Sequence, residues 1–221
     1  MGVLGGPNIE KDGLVFALNP GSTRSYSRTG TDVASLVGNK EGSLVNGTAF
    51  SSDNGGVFSF DGTNDRVSLD SAITLTNEWT ILYWFYHDSS NYDMTIGEYN
   101  TSGNRFYHRD DGANYKLRVH NNSAVNIQDM TLGDIRFQWA HLGYSKSSNN
   151  NTVLGWVNGE VALDTSNTDD ATFVVDSIGY PYTSTSYFWR GKLASILIYD
   201  RQLSTEEYLQ IFNATKGRFG L

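Results

Sequence analysis

A short polar stretch concentrates side-chain oxygens between two alternating apolar runs. Asp61, Asn64 and Asp65 lie within five residues of one another. Ca²⁺ is a hard cation that takes roughly six to eight oxygen ligands from flexible loops, including backbone carbonyls. The spacing therefore predicts a calcium site formed by Asp61, Asn64 and Asp65. The alternative is a plain turn, in which Asp61 accepts hydrogen bonds from backbone amides and the other two side chains face water.

Aromatic residues form a second group that could bind a ligand. The chain is 13% aromatic and contains 13 Tyr and 5 Trp. Sugar rings stack on exposed aromatic faces, while neighbouring Asn and Asp side chains bind the hydroxyl groups. The alternative is that the same rings pack in the core or at sheet edges. The predicted glycan-binding residues are Trp84, Tyr86, Trp156, Tyr187 and Trp189.

Composition limits the classes of partner. The net charge is -8, and the sequence contains no cluster of Lys and Arg, so we predict no binding to nucleic acid. No basic segment followed by an apolar run opens the chain, and no stretch approaches the roughly 20 apolar residues of a membrane span. We therefore expect a soluble protein with no signal peptide and no membrane insertion. The chain has no cysteine, so burial and hydrogen bonding must hold the fold.

The elements that must position these residues are short strands. Alternating runs separated by Asn, Asp, Gly and Ser turns recur about every 8 to 12 residues, which is typical of a β-sandwich. Residues 78–87 are apolar or aromatic on both faces, so this strand is central and covered on both sides, or has one face in an aromatic groove. Residues 136–145 are predicted as another long strand, and residues 22–42 as a surface connection. Asn158-Gly159 predicts a hairpin turn.

The periodicity changes near the end of the chain. Ser204 and Glu207 have the spacing of a helix capping box, and an apolar stripe follows them. Gly217 is predicted to end this helix. The fold class is therefore all-β, an antiparallel β-sandwich with one short C-terminal helix. We assign residues 1–12 to a flexible N-terminal arm, 13–217 to a single domain and 218–221 to a C-terminal tail.

The order of motifs resembles the laminin-G-like jelly roll of the concanavalin A-like lectin/glucanase superfamily. The closing pattern is an apolar strand followed by Tyr-Asp-Arg-x-Leu-Ser-x-Glu-Glu. The resemblance implies a lectin-like sandwich, and many relatives carry Ca²⁺, which agrees with the acidic stretch. The motifs that carry the resemblance are residues 58–67, 79–86, 139–142, 156–160 and 191–207.

A narrower resemblance lies at the two ends of the chain. Residues 13–26 and 212–221 are similar to the ends of laminin-G-like structural proteins of tailed phages, particularly marine and cyanobacterial ones. Asn19 stands where the commonest version of the first motif has Asp. The resemblance implies a virion protein assembled in the host cytoplasm.

Enzymatic activity is not predicted. Glucanases of the superfamily place acids at Glu-x-Asp-x-x-Glu on one strand, where alternation brings two carboxyl groups to the spacing that hydrolysis needs. No such triplet occurs, since Glu98 is followed two residues later by Asn100. The four histidines have no zinc-ligand spacing, and no serine elbow or phosphate loop occurs.

The predicted function is a non-enzymatic virion structural protein, acting as an exposed decoration or tail component or as an attachment module for host-surface glycan. Its expected partners are other capsid or tail proteins, host glycan and, in a homo-oligomer, other copies of the chain. The alternative is a bacterial carbohydrate-binding or cell-surface adhesion module outside a virion.

Overall fold

The computed structural model describes residues 9–89, 92–110, 112, 115–180 and 187–221. These residues form sixteen strands, one α-helix and two short 3₁₀ turns. The helix is α1 (Thr205–Thr215), and the 3₁₀ turns are Asp53–Gly55 and Lys216–Arg218. In chain order the strands are β1 (Leu14–Leu18), β2 (Asp32–Ala34), β3 (Glu41–Val45), β4 (Ala49–Ser51), β5 (Val57–Asp61), β6 (Arg66–Leu75), β7 (Glu78–His87), β8 (Asp93–Gly97), β9 (Arg105–Asp110), β10 (Tyr115–His120), β11 (Asn126–Thr131), β12 (Trp139–Ser147), β13 (Thr152–Val157), β14 (Glu160–Ser166), β15 (Phe173–Ile178) and β16 (Arg190–Tyr199).

The strands form two antiparallel sheets of eight. The first sheet has the order β14-β13-β12-β7-β16-β5-β4, with β1 also paired to β16. The second has the order β11-β10-β9-β8-β15-β6-β3-β2. This arrangement confirms the predicted β-sandwich with a short C-terminal helix. Within the described residues no helix is long and apolar enough to cross a membrane.

The main core lies between the sheets and follows from strand alternation. On β7 the side chains of Trp79, Ile81, Tyr83 and Phe85 point inward and are fully buried. Successive side chains of a strand point to opposite faces. The intervening residues of β7 therefore stand on the outer face of the first sheet.

Helix α1 covers much of that outer face. Ser204 and Glu207 form the predicted capping box, which fixes the start of the helix. Tyr208, Ile211 and Phe212 are the buried side of α1 and pack with residues of the first sheet in a second apolar cluster. For the strand at 78–87, the alternative of a central strand covered on both sides is therefore correct along most of its length.

Three local predictions differ from the structure. The strand predicted from residue 136 begins only at Trp139, because Phe137 has a φ of 57° and leaves its ring 58% exposed. The connection predicted over residues 22–42 contains β2, which pairs with β3. Gly217 lies inside the 3₁₀ turn that continues α1 and does not form a left-handed cap.

The two ends of the described chain meet at Arg218. Its guanidinium donates to Asn19 Oδ1 at 2.9 Å and to the carbonyl oxygens of Asn54 and Gly56. Phe219 is also buried. Two residues of the predicted C-terminal tail are therefore part of the sandwich, and Asn19 has a structural partner.

Candidate functional site

Two of the predicted glycan-binding residues lie beneath α1. Trp84 and Trp156 have no exposed surface. The Trp84 ring stacks on Phe219 at 4.1 Å between centroids, and its Nε1 donates to Thr215 Oγ1 at 2.9 Å. The Trp156 ring stacks on Tyr208 at 5.0 Å. The prediction that Trp84 and Trp156 bind glycan is therefore wrong, because α1 and the turn after it cover the face on which both rings stand.

The other three predicted residues do not form one surface. Trp189 is fully buried in the core, where it stacks on His87 at 4.4 Å. Tyr187 is half-buried on the second sheet, with its ring 5.5 Å from that of Tyr107. Tyr86 is half-buried on the outer face of the first sheet. Tyr86 and Tyr187 thus retain exposed surface, but on opposite sheets.

A cleft of about 320 Å³ opens at Tyr86 on the outer face of the first sheet. Three neighbouring strands form its floor, since Lys192 of β16 is paired with Tyr86 of β7 on one side and with Ser59 of β5 on the other. The Trp139 ring lies edge-on to Tyr86 at 6.0 Å. Besides Ser59, Tyr86 and Lys192, the residues that line the cleft are Phe60, Asp61, Asp88, Arg190 and Gly191.

Gly191 sets how closely β16 approaches β7 at this cleft. Its φ is 141°, a conformation that side-chain-bearing residues rarely adopt, and a Cβ there would clash with the carbonyl oxygen of Tyr86. Glycine at position 191 therefore allows the backbones of β16 and β7 to pair closely, and this pairing makes the floor of the cleft continuous.

The cleft surrounds one aromatic ring with side chains of both charges. Asp61 and Asp88 supply carboxylates, and Arg190 and Lys192 supply cations. Lys192 Nζ also lies 2.9 Å from Asp53 Oδ2 at the rim. Carboxylates only accept hydrogen bonds and Arg and Lys only donate them, so a hydroxyl group can bond to either kind. The balanced charge suits a neutral polyhydroxyl ligand better than an anion.

Of the three predicted calcium residues, Asp61 lines this cleft, and Asn64 and Asp65 follow it in the turn between β5 and β6. Asp61 Oδ1 accepts from the Thr63 amide at 2.7 Å, and Asp65 Oδ2 accepts from the Asp61 amide at 3.0 Å. Asn64 uses its backbone oxygen to accept from Asn46 Nδ2 at 3.0 Å. The turn alternative is therefore correct for Asp61 and for the exposed Asn64, and wrong for Asp65, whose side chain is buried and does not face water.

One atom of this loop does suit a cation. Asp65 Oδ1 is buried and has no hydrogen-bond partner among the described residues. Burial raises the pKa of Asp65, and the charge of Asp61 adds to the increase. A bound cation would offset both effects, so the Asp65 carboxylate suits Ca²⁺. The described residues hold no group of three or more acidic or histidine side chains that could bind a metal, so backbone carbonyls and water would have to complete the ligand set.

A chain of hydrogen-bonded side chains inside the core was not predicted. Tyr83 Oη lies 2.6 Å from His108 Nε2, and His108 Nδ1 lies 2.8 Å from Tyr115 Oη. Tyr115 Oη is also 2.6 Å from His87 Nδ1, and His87 Nε2 is 2.8 Å from Asp93 Oδ2. All five side chains are buried. Substrate therefore has no access to them, and their role is structural.

Burial fixes the protonation of the central members of this chain. It lowers the pKa of His108 well below its ordinary value, so this imidazole is neutral, and it raises that of Tyr115, so this hydroxyl group keeps its proton. A neutral imidazole has one N–H, so one ring nitrogen of His108 donates and the other accepts. The bonds from His108 to Tyr83 and to Tyr115 therefore run in the same direction along the chain. Strand alternation could have placed His87 inward, two residues after Phe85.

Solved structures share this fold. One is domain 4 of AbnA, an extracellular GH43 arabinanase from Geobacillus stearothermophilus, in complex with arabinotriose, which is 14% identical with a TM-score of 0.69 over 93% of this chain and 100% of that one. The ligand binding domain of botulinum neurotoxin serotype D, in complex with N-acetylneuraminic acid, is 11% identical with a TM-score of 0.69 over 91% of this chain and 50% of that one. A heptameric SAP-like pentraxin from Limulus polyphemus is 16% identical with a TM-score of 0.55 over 68% and 78%.

At identities this low, the three structural matches show a common fold and nothing further. A comparison with curated protein sequences gives no match. Residues 61–207, more than half of the chain, match the Laminin_G_3 family model, described as the concanavalin A-like lectin/glucanases superfamily. Together with the two eight-stranded sheets, this match confirms the predicted lectin-like jelly roll. The chain belongs to the Laminin_G_3 family of the concanavalin A-like lectin/glucanases superfamily.

Proposed function

We propose that this protein is a non-enzymatic carbohydrate-binding module whose ligand lies in the cleft at Tyr86. The observation that carries the proposal is the combination of the half-exposed Tyr86 ring with hydrogen-bond donors and acceptors on three adjacent strands. A sugar ring would stack on Tyr86, while its hydroxyl groups bond to Asp61, Asp88 and Arg190. The arabinotriose-bound and N-acetylneuraminate-bound structures of the same fold support this class of ligand.

Replacing Tyr86 with alanine should weaken binding of neutral oligosaccharide at least about tenfold, since loss of one aromatic contact costs about 1.4 kcal/mol. A glycan array would first identify a neutral ligand, and calorimetry would then compare its affinity for the two proteins. Product analysis after long incubation would test for hydrolysis.

Tyr99→Ala is the matched control, because Tyr99 is 40% exposed and lies outside the cleft. The control should bind like the parent protein. The proposal that the cleft binds sugar would be wrong if the parent protein bound no neutral glycan, or if the Tyr86→Ala variant bound with unchanged affinity.

Calcium forms part of the proposal, held by Asp61, Asn64 and Asp65. At a Ca²⁺ concentration about one hundred times Kd, binding to the folded state should add about 2.7 kcal/mol to the free energy of unfolding. Asp65→Asn should abolish this gain, because it replaces the buried carboxylate oxygen that lacks a partner with an uncharged amide group, which is a weaker ligand for Ca²⁺. Thermal unfolding with Ca²⁺ and with chelator measures the effect. Asp70→Asn, at an exposed position of β6, should retain it, and equal stability of the parent protein in both buffers would exclude the site.

For the biological setting, we propose exposure on the particle of a tailed phage, as a decoration or tail component that binds host-surface glycan. The support is the resemblance of the two terminal motifs, which contact each other through Asn19 and Arg218. Mass spectrometry of purified particles tests this setting. If the protein is found only outside particles, the alternative is favoured: a bacterial carbohydrate-binding or adhesion module. The arabinanase domain supports that alternative through its fold.

A further inference from the structure

One aromatic side chain stands exposed at the edge of the cleft. Among the described residues no large apolar side chain is more exposed than Phe137, at 58%. Its backbone N–H donates to the carbonyl oxygen of His87 at 3.0 Å. His87 lies between Tyr86 and Asp88 in the chain, and both of these residues line the cleft. The backbone of Phe137 is therefore fixed beside the cleft, one hydrogen bond away from β7.

The backbone conformation of Phe137 suits this residue poorly. Its φ is 57°, and bulky residues rarely adopt this left-handed conformation, because it brings Cβ too close to a carbonyl oxygen. Ten described residues other than glycine have a positive φ; seven of them are Asn, and Phe137 is the one aromatic residue among them. A ring that is both strained and open to water costs stability. Packing therefore does not explain a phenylalanine at this position.

Hydrogen bonds on both sides of Phe137 hold this conformation. Gln138 Nε2 donates to the carbonyl oxygen of Asp134 at 3.0 Å, and Arg136 Nε donates to Asp134 Oδ1 at 3.0 Å. Arg136 also pairs with Asp110 of β9. Strained residues persist where the surrounding structure over-determines them, and they concentrate at functional sites. This turn therefore holds the backbone of Phe137 in place before any ligand binds.

Phe137 continues a series of aromatic residues on the outer face of the first sheet. Trp139 of β12 is half-buried and is paired in register with Tyr86 of β7. Its ring lies 6.0 Å from that of Tyr86 and 4.8 Å from that of Phe219. Phe137 precedes Trp139 by two residues, so their Cα atoms are at most about 7 Å apart. Aromatic residues at this spacing can contact neighbouring units of one sugar chain.

We propose that Phe137 and Trp139 form a second subsite beside the cleft, which makes the ligand a linear neutral oligosaccharide rather than a single terminal sugar. This inference rests on the proposed function of the cleft at Tyr86. One sugar unit lies against Tyr86, and a neighbouring unit stacks its apolar face on the exposed Phe137 ring. Because the backbone that carries this ring is already held, little conformational entropy is lost on binding.

A sugar chain fits this surface better than a protein partner does. Phe137 is flanked in the chain by the exposed Gln138 and the half-buried Arg136, so its apolar surface is narrow. A stable protein interface buries about 800 Å² on each partner. A sugar unit needs one aromatic face with polar groups beside it, and the cleft supplies such groups next to this ring.

Calorimetry tests the subsite by comparing a single sugar unit with the tetrasaccharide of the neutral series that the glycan array identifies. The parent protein should bind the tetrasaccharide at least about fivefold more tightly than the single unit. Phe137→Asn should lose about fivefold in affinity for the tetrasaccharide, which corresponds to one aromatic contact. It should keep the parent affinity for the single unit, because the cleft at Tyr86 is intact.

Stability separates this role from packing. Asn tolerates the left-handed conformation, so Phe137→Asn should unfold at a denaturant concentration no lower than the parent protein does, whereas loss of a packing residue would lower that concentration. Phe137→Tyr keeps the ring and should keep the parent affinity for the tetrasaccharide. Tyr99→Asn is the control, because it removes an exposed ring outside the cleft, and it should bind like the parent protein.

Three results would overturn the subsite: equal affinity of the parent protein for the single unit and the tetrasaccharide, unchanged tetrasaccharide affinity in Phe137→Asn, or a joint loss of stability and affinity in that variant. The subsite and the cleft can fail separately. Loss of binding in Tyr86→Ala with normal binding in Phe137→Asn overturns the subsite alone, whereas a parent protein that binds neither sugar overturns the proposed function as well.

Discussion

Replacing Trp84 with alanine should lower the free energy of unfolding by about 3 to 5 kcal/mol and leave carbohydrate affinity unchanged. The ring has no exposed surface and stacks on both Phe212 and Phe219. Its removal leaves a cavity beneath α1, and Thr215 loses the indole donor. Chemical denaturation measures the loss, and the glycan titration used for Tyr86 measures affinity.

Trp84→Phe provides a milder test in case the alanine variant does not fold. It keeps an aromatic ring but loses the Nε1 bond, so we expect a loss of only about 1 kcal/mol. A Trp84 variant that unfolds like the parent protein but no longer binds sugar would contradict the packing role and restore the predicted platform.

Acidification from pH 7 to pH 5 should destabilise the protein steeply, through three histidines. Burial lowers the pKa of His108 well below its ordinary value, that of His120 to about 4 and that of His141 to about 3. The unfolded chain binds protons at these positions from about pH 6.5 downward, while the folded chain does not. Stability is therefore greatest above pH 6.5 and falls with decreasing pH, by up to about 1.4 kcal/mol per pH unit for each histidine.

His141→Phe isolates one of the three contributions. This variant removes one titrating group, so the slope of unfolding free energy against pH should fall to about two thirds between pH 6 and pH 5. Denaturant titrations at closely spaced pH values give that slope. Carboxyl groups titrate mainly below this range. An unchanged slope in the variant, or a parent protein equally stable at pH 7 and pH 5, would show that the histidines are not neutral in the fold.

The sequence predicted the fold well where local signals agree with tertiary structure. The hairpin at Asn158-Gly159 forms with positive φ at both residues, as a type I′ turn requires. The capping box formed because its two hydrogen bonds are local. Phe137 was placed in a strand because its apolar neighbours continue the alternation, and a single residue with positive φ breaks the strand without a sequence signal.

The site was harder to predict, because exposure depends on what covers each face. Alternation put Trp84 and Tyr86 on the same side of β7, and that side is correct. It could not show that α1 and Phe219 cover Trp84 while Tyr86, two residues later, stays half-exposed.

The position of β16 has a consequence for how the chain folds. It is the last of the described strands in chain order, yet it lies in the middle of the first sheet, between β7 and β5, and it is the strand that pairs with β1. Until residues 190–199 are in place, the first sheet exists as separate pieces, and the aromatic face that α1 covers remains open. Such non-local pairing slows folding and exposes apolar intermediates to aggregation. A chain that stops before Arg190 should therefore accumulate as insoluble material rather than as a smaller domain.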